Sequence, residues 1–152
     1  MIYLDTSVIV SYIDEVNPDH VRALKLVESL GPDRVVSRLT LVELVSVYSR
    51  AGLEEPIPLA IYSIRSTGAR VVEVDLDAVL REAVVKAPDL RLRTLDLLHV
   101  IACGVAGCKG FATPDLDIVR RSSTISKNLG IEVLAPPFVP RCLFSLVRVH
   151  CI

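Results

Sequence analysis

Two patterns of apolar residues alternate along the chain. Short, nearly continuous runs read as strands buried on both faces, and longer segments with apolar residues every three or four positions read as helices with one buried face. Strands are expected at residues 1–4, 34–37, 70–74, 109–113 and 131–134. The first helix follows Asp5, with Thr6 or Ser7 as cap, and runs to Tyr12. Asn17-Pro18 opens the second, with Gly31 as its stop. Further helices are expected at 39–51 (closed by Gly52), at 56–66, and from Asp75 or Asp77 to Lys86 (ended by Pro88). Another runs from Arg93 or Thr94 to Ala106, and a polar helix leads from Pro114 toward Gly130.

Strands that alternate with helices specify an α/β fold: a three-layer α/β/α sandwich around a central parallel sheet. The 152 residues suffice for one domain with a proper core. That domain is placed at 1–135. The stretch 136–152, with Pro136, Pro137 and Pro140, reads as an appended tail to which no function is assigned.

In an open parallel sheet, ligands gather at the carboxyl ends of the strands. Asp5 and Asp115 each follow directly on an expected strand, and Glu43 and Asp96 lie early in helices that start near the same rim. Individually, each has an ordinary explanation. An aspartate ahead of a helix is a common cap; Asp117 is a competing candidate to Asp115 and is expected in a supporting role at the site. Glu43 is harder to explain structurally, because Leu41, Val42, Leu44 and Val45 surround it and burying an unpartnered acid there is costly. Two carboxylates about 4 Å apart repel by about 4 kcal/mol at an effective dielectric near 20. A convergent set therefore calls for a cation. All-oxygen ligands suit Mg²⁺ or Mn²⁺ better than zinc, and such ions support phosphodiester hydrolysis by metal-activated water.

Composition narrows the choice. The formal net charge of -1 means that any nucleic-acid contact comes from a local basic patch. Arg38 and Arg93, with Arg91, Arg120 and Arg121, flank the acidic segments. Hydrophobic residues form 51% of the chain, so some apolar surface is expected to be covered by another chain. No apolar run reaches membrane-spanning length and no basic segment precedes the first strand, so the cytoplasm is the expected location. Cys103, Cys108, Cys142 and Cys151 lack CxxC spacing and read as buried thiols. Asp96, His99 and Cys103 share a helical face, but a lone His and Cys on an apolar helix are more often core residues than transition-metal ligands. GxGxxG and GxxxxGK[ST] are absent, which disfavours dinucleotide and P-loop enzymes. An aspartyl phosphatase would have a second aspartate where Ser7 stands.

Four stretches, "YLDTSVIV", "SRLTLVEL", "LRTLDLLHVIACGVAG" and "GFATPDLDI", together resemble the PIN-domain family, and more closely its VapC-type toxins, ribonucleases paired with an antitoxin. The resemblance implies a PIN-like fold and Mg²⁺ or Mn²⁺ held by Asp5, Glu43, Asp96 and Asp115. It also implies supporting roles for Thr6, Ser7 and Thr113, and products with 5′-phosphate and 3′-hydroxyl ends. A homodimer and an antitoxin partner follow from the same likeness. Pro114 and the tail beyond Pro136 depart from the family pattern. A housekeeping nuclease without antitoxin and a non-catalytic RNA-binding relative are the alternatives.

Overall fold

The computed structural model describes residues 1–136. Five strands, β1 (Ile2–Leu4), β2 (Arg34–Ser37), β3 (Arg70–Val72), β4 (Gly110–Ala112) and β5 (Glu132–Leu134), form one sheet in the order β3-β2-β1-β4-β5. All four pairings are parallel. Successive side chains of a strand point to opposite faces. Tyr3, Val35 and Phe111 accordingly enter one core, while Leu4, Val36 and Ala112 enter the other.

Helices α1 (Thr6–Ile13), α2 (His20–Ser29), α3 (Arg38–Arg50) and α4 (Pro56–Ser66) cover the second core. Helices α5 (Leu76–Leu90), α6 (Thr94–Val105), α7 (Leu116–Val119) and α8 (Ser122–Leu129) cover the first. The three-layer α/β/α sandwich is therefore as expected. The strand order runs outward in both directions from β1 and β4, so the switch point, where a crevice opens, lies between those two carboxyl ends.

Three helix boundaries correct the expectations. Asn17-Pro18 does not open α2. Asn17 instead accepts the Asp19 amide in a turn (2.9 Å), and the helix begins at His20. Pro88 does not end α5, which continues to Leu90. Pro88 removes one bond, to the Val84 carbonyl, near a helix end where Val84 is itself exposed. The polar helix from Pro114 is two helices, divided at Arg120 and Arg121. The expected tail lies almost wholly outside the described residues, as do Cys142 and Cys151. Cys103 and Cys108 are buried free thiols. No helix among the described residues is long and apolar enough to cross a membrane.

Candidate active site

The switch-point crevice is a cleft of about 550 Å³ whose lining includes Asp5, Glu43, Asp96 and Asp115. Asp5 is carried there by the turn from β1 into α1, and its backbone N–H donates to the Ala112 carbonyl of β4 (3.0 Å). Asp115 follows β4 by the Thr113-Pro114 step, Glu43 lies in α3, and Asp96 lies in the first turn of α6. The sheet topology thus gathers acids separated by more than a hundred residues.

Asp5 is buried, at 8% exposure. The hydroxyls of Ser7 and Thr113 both donate to its Oδ2 at 2.6 Å, and no group among the described residues donates to Oδ1. Burial raises the Asp5 pKa above the usual carboxylate range, against the pull of those two donors. Thr113 Oγ1 also accepts the Asp115 amide at 3.0 Å, so one hydroxyl ties two acids together. Asp115 Oδ1 in turn accepts the Asp117 amide (2.7 Å) and caps α7.

Glu43 is anchored from below. His99, 1% exposed, donates from Nε2 to Glu43 Oε2 at 2.9 Å, while its Nδ1 meets the Tyr3 hydroxyl at 3.1 Å. Tyr3 continues the chain to Ser37 (2.7 Å) and Thr40 (3.2 Å), and burial pushes its phenol up to about 12. Burial is the largest single influence on Glu43 and opposes its ionisation, yet His99, with Thr6 and the Arg50 charge, together outweigh it and leave its pKa lowered. The Thr6 hydroxyl lies near Glu43 but reaches no hydrogen-bond geometry, and its Oγ1 is a buried oxygen without a partner.

Asp96 and Asp115 are held differently. The Arg93 guanidinium, 71% exposed, bridges Asp96 Oδ2 (3.1 Å) and Asp115 Oδ2 (3.2 Å), with Asp117 at 4.0 Å. Burial raises the Asp96 pKa. Arg93 opposes the rise, and the neighbouring negative charges of Asp115 and Asp5 add to it. Arg93 occupies the position where a cation would relieve this repulsion. Among the described residues, no three acid, histidine or cysteine side chains already stand in ligating arrangement around one point. The donor set still fits a hard divalent ion: four carboxylates line one crevice, and among the described residues the only cation between them sits on an exposed side chain.

Of the expected substrate contacts, Arg93 lines the cleft. Arg38 does not; it pairs with Glu73 at 2.7 Å on the surface. Asp117 flanks Arg93 outside the cleft. The link from His99 to Glu43 and the cleft positions of Ser11 and Asn17 were not foreseen. His99 forms no site with Asp96 and Cys103, because its ring is committed to Glu43 and Tyr3 and the Cys103 thiol faces the Gly110 carbonyl at 3.5 Å.

Fold and cleft together define a parallel α/β/α domain with a carboxylate crevice at its switch point. The PIN domain model matches residues 2–122, and the chain belongs to the PIN-domain family. It is 33% identical over 137 residues to Ribonuclease VapC35 of Mycobacterium tuberculosis, an alignment covering 90% of this chain and 97% of that protein. Among solved structures, the sarcin-ricin-loop-cleaving toxin VapC20 of M. tuberculosis has the same fold at TM-score 0.64 and 23% identity, covering 79% of this chain and 94% of that one. A toxin–antitoxin complex from Klebsiella pneumoniae matches at TM-score 0.63 and 12% identity, covering 91% and 100%.

Proposed function

We propose that the protein is a divalent-metal-dependent endoribonuclease of the VapC type, acting in the cytoplasm as the toxin of a toxin–antitoxin pair. The observation that carries this reading is the convergence of Asp5, Glu43, Asp96 and Asp115 on one cleft. The relationship to Ribonuclease VapC35 along nearly the whole of both chains supports it.

Asp5, Glu43, Asp96 and Asp115 would hold Mg²⁺ or Mn²⁺, directly or through water. When bound, such an ion supplies positive charge for the scissile phosphodiester and acidifies water for in-line attack. Ser7 and Thr113 both hold Asp5 through Oδ2, which leaves Oδ1 without a donor among the described residues. His99 fixes Glu43 in its ionised form. Arg93, paired with Asp96 and Asp115 on a largely exposed side chain, would be the cleft's guanidinium for a substrate phosphate. No protein nucleophile is required.

Exposed apolar side chains, among them Val42 on α3, Ile57 and Tyr62 on α4 and Val84 on α5, offer surface for a second copy and for an antitoxin. The direct test is cleavage of structured RNA by purified protein with Mn²⁺, Mg²⁺ or EDTA, alongside Asp96→Asn. Cleavage should require the metal and disappear in the variant. Cleavage in EDTA, or full activity of Asp96→Asn, would overturn the reading. Expression without antitoxin should arrest growth, and co-expression of the cognate antitoxin should relieve the arrest.

A further inference from the structure

The acidic cleft does not end at Arg93. That side chain also lines a second groove, of about 440 Å³, with Arg91, Arg120 and Arg121. Arg91 and Arg121 continue into a third, of about 540 Å³, which Lys127, Ser123, Thr124 and Asn128 line together with Pro88 and one acid, Asp89. Shared residues thus chain three open depressions end to end along the ends of α5, α7 and α8. Among the described residues, Arg91, Arg121 and Lys127 take part in no ion pair, and Arg120 reaches only Asp117, at 3.7 Å. Arg91 spends Nε on the Pro88 carbonyl (3.3 Å), and among the described residues neither terminal nitrogen of its guanidinium has an acceptor.

The backbone at Arg91 is a second, independent observation. Glycine takes the left-handed residue at the ends of α3, α4, α6 and α8, namely Gly52, Gly68, Gly107 and Gly130. Helix α5 ends instead with Arg91 at φ 50° and ψ 39°. A side chain there carries a backbone cost that glycine would avoid; Glu55, at φ 52° ahead of α4, is the other non-glycine residue among the described residues that bears it.

We infer that Arg91, Arg120, Arg121 and Lys127 form a phosphate track that carries unpaired RNA away from the cleaved bond. This rests on the ribonuclease reading above and names the surface that engages the strand beyond the cleft. The spaced cations suit successive phosphates, and Ser123, Thr124 and Asn128 bring hydrogen-bonding groups for ribose or base edges. Among the described residues no aromatic ring lines either groove, so these residues hold the backbone rather than stack bases. A chain of net charge -1 thereby concentrates its attraction for RNA where the cut is made.

The test measures binding of a short, unstructured, fluorescein-labelled RNA across a salt series, in the Asp96→Asn background to prevent cleavage. Arg91→Gly, Arg121→Ala and Lys127→Ala should each lower the slope of log affinity against log salt by about 0.7, and the triple variant by roughly 2. In the active protein the triple variant should raise KM for RNA while kcat at saturation holds. Arg91→Gly should melt no earlier than the parent while binding RNA less tightly, a combination that a purely structural Arg91 would not produce. If the triple variant melts early, Arg121→Gln and Lys127→Gln carry the same measurement singly. Unchanged slope and KM in an RNA-cleaving protein would overturn the track alone, whereas absence of cleavage by the unmodified protein would overturn the ribonuclease reading.

Discussion

The cleft holds one pair of its acids from inside the fold and the other from outside. Asp5 and Glu43 rest on uncharged or histidine donors of the fold: the half-buried Ser7 and buried Thr113 for one, buried His99 backed by Tyr3 for the other. Asp96 and Asp115 share a guanidinium that is largely in solvent. Buried donors keep their geometry because leaving it would strand polar groups away from water. An exposed ion pair is weak and exchanges readily. One wall of the site is therefore fixed before any ligand arrives, and the other is neutralised provisionally.

The largest effect should come from the fixed wall itself. Asp5→Asn keeps the shape but removes a charge, and kcat/KM for RNA should fall by at least about a hundredfold. The rise in Tm on adding Mn²⁺ should vanish with it, and a Tm rise that survived would separate Asp5 from the metal. Next comes His99→Ala, which leaves Glu43 unanchored. Metal affinity or activity should drop about 10–100-fold, with roughly 2–4 kcal/mol lost in denaturant unfolding. His99→Asn, which can still donate to Glu43, should recover part of the activity, and equal activity in both variants would remove the anchoring role.

Thr113→Val is milder. It deprives Asp5 of one donor and the Asp115 amide of its acceptor, for about 1–2 kcal/mol of stability in urea unfolding and a several-fold loss of activity. Thr113→Ser should restore both. The smallest change in stability, and the only one of opposite sign for metal, belongs to Arg93→Ala. Tm should hardly move, Mn²⁺ should bind more tightly by titration calorimetry, and KM for RNA should rise. Weaker Mn²⁺ binding in that variant would show the two walls to be alike.

Much of this was legible in the sequence. The run "YLD" announces a strand that ends at an acid, because a strand buried on both faces is apolar throughout and its carboxyl end is where polarity resumes. The four acids could be named because each sits at such a junction or inside an apolar helix. The contact of His99 with Glu43 was not legible, since it joins residues 56 apart on two helices and the surrounding "LLHVIAC" reads only as core. Arg38 shows the reverse. Its position at the start of Glu43's helix suggests the site, yet the side chain turns outward to Glu73, a partner that becomes a neighbour only when β3 joins β2. The starts of α2 and α7 were misjudged because Asn17 and Asp115 both close local turns on amides two residues on, and that side-chain choice decides where a helix begins.

One hydroxyl sets when the molecule becomes competent. Thr113 joins Asp5 across 108 residues of chain, so the oxygen atoms of the first acid take their working orientation only after β4 has zipped onto β1. A chain lacking its last third would have neither Thr113 nor Asp115, so the acidic cleft is complete only once β4 lies beside β1.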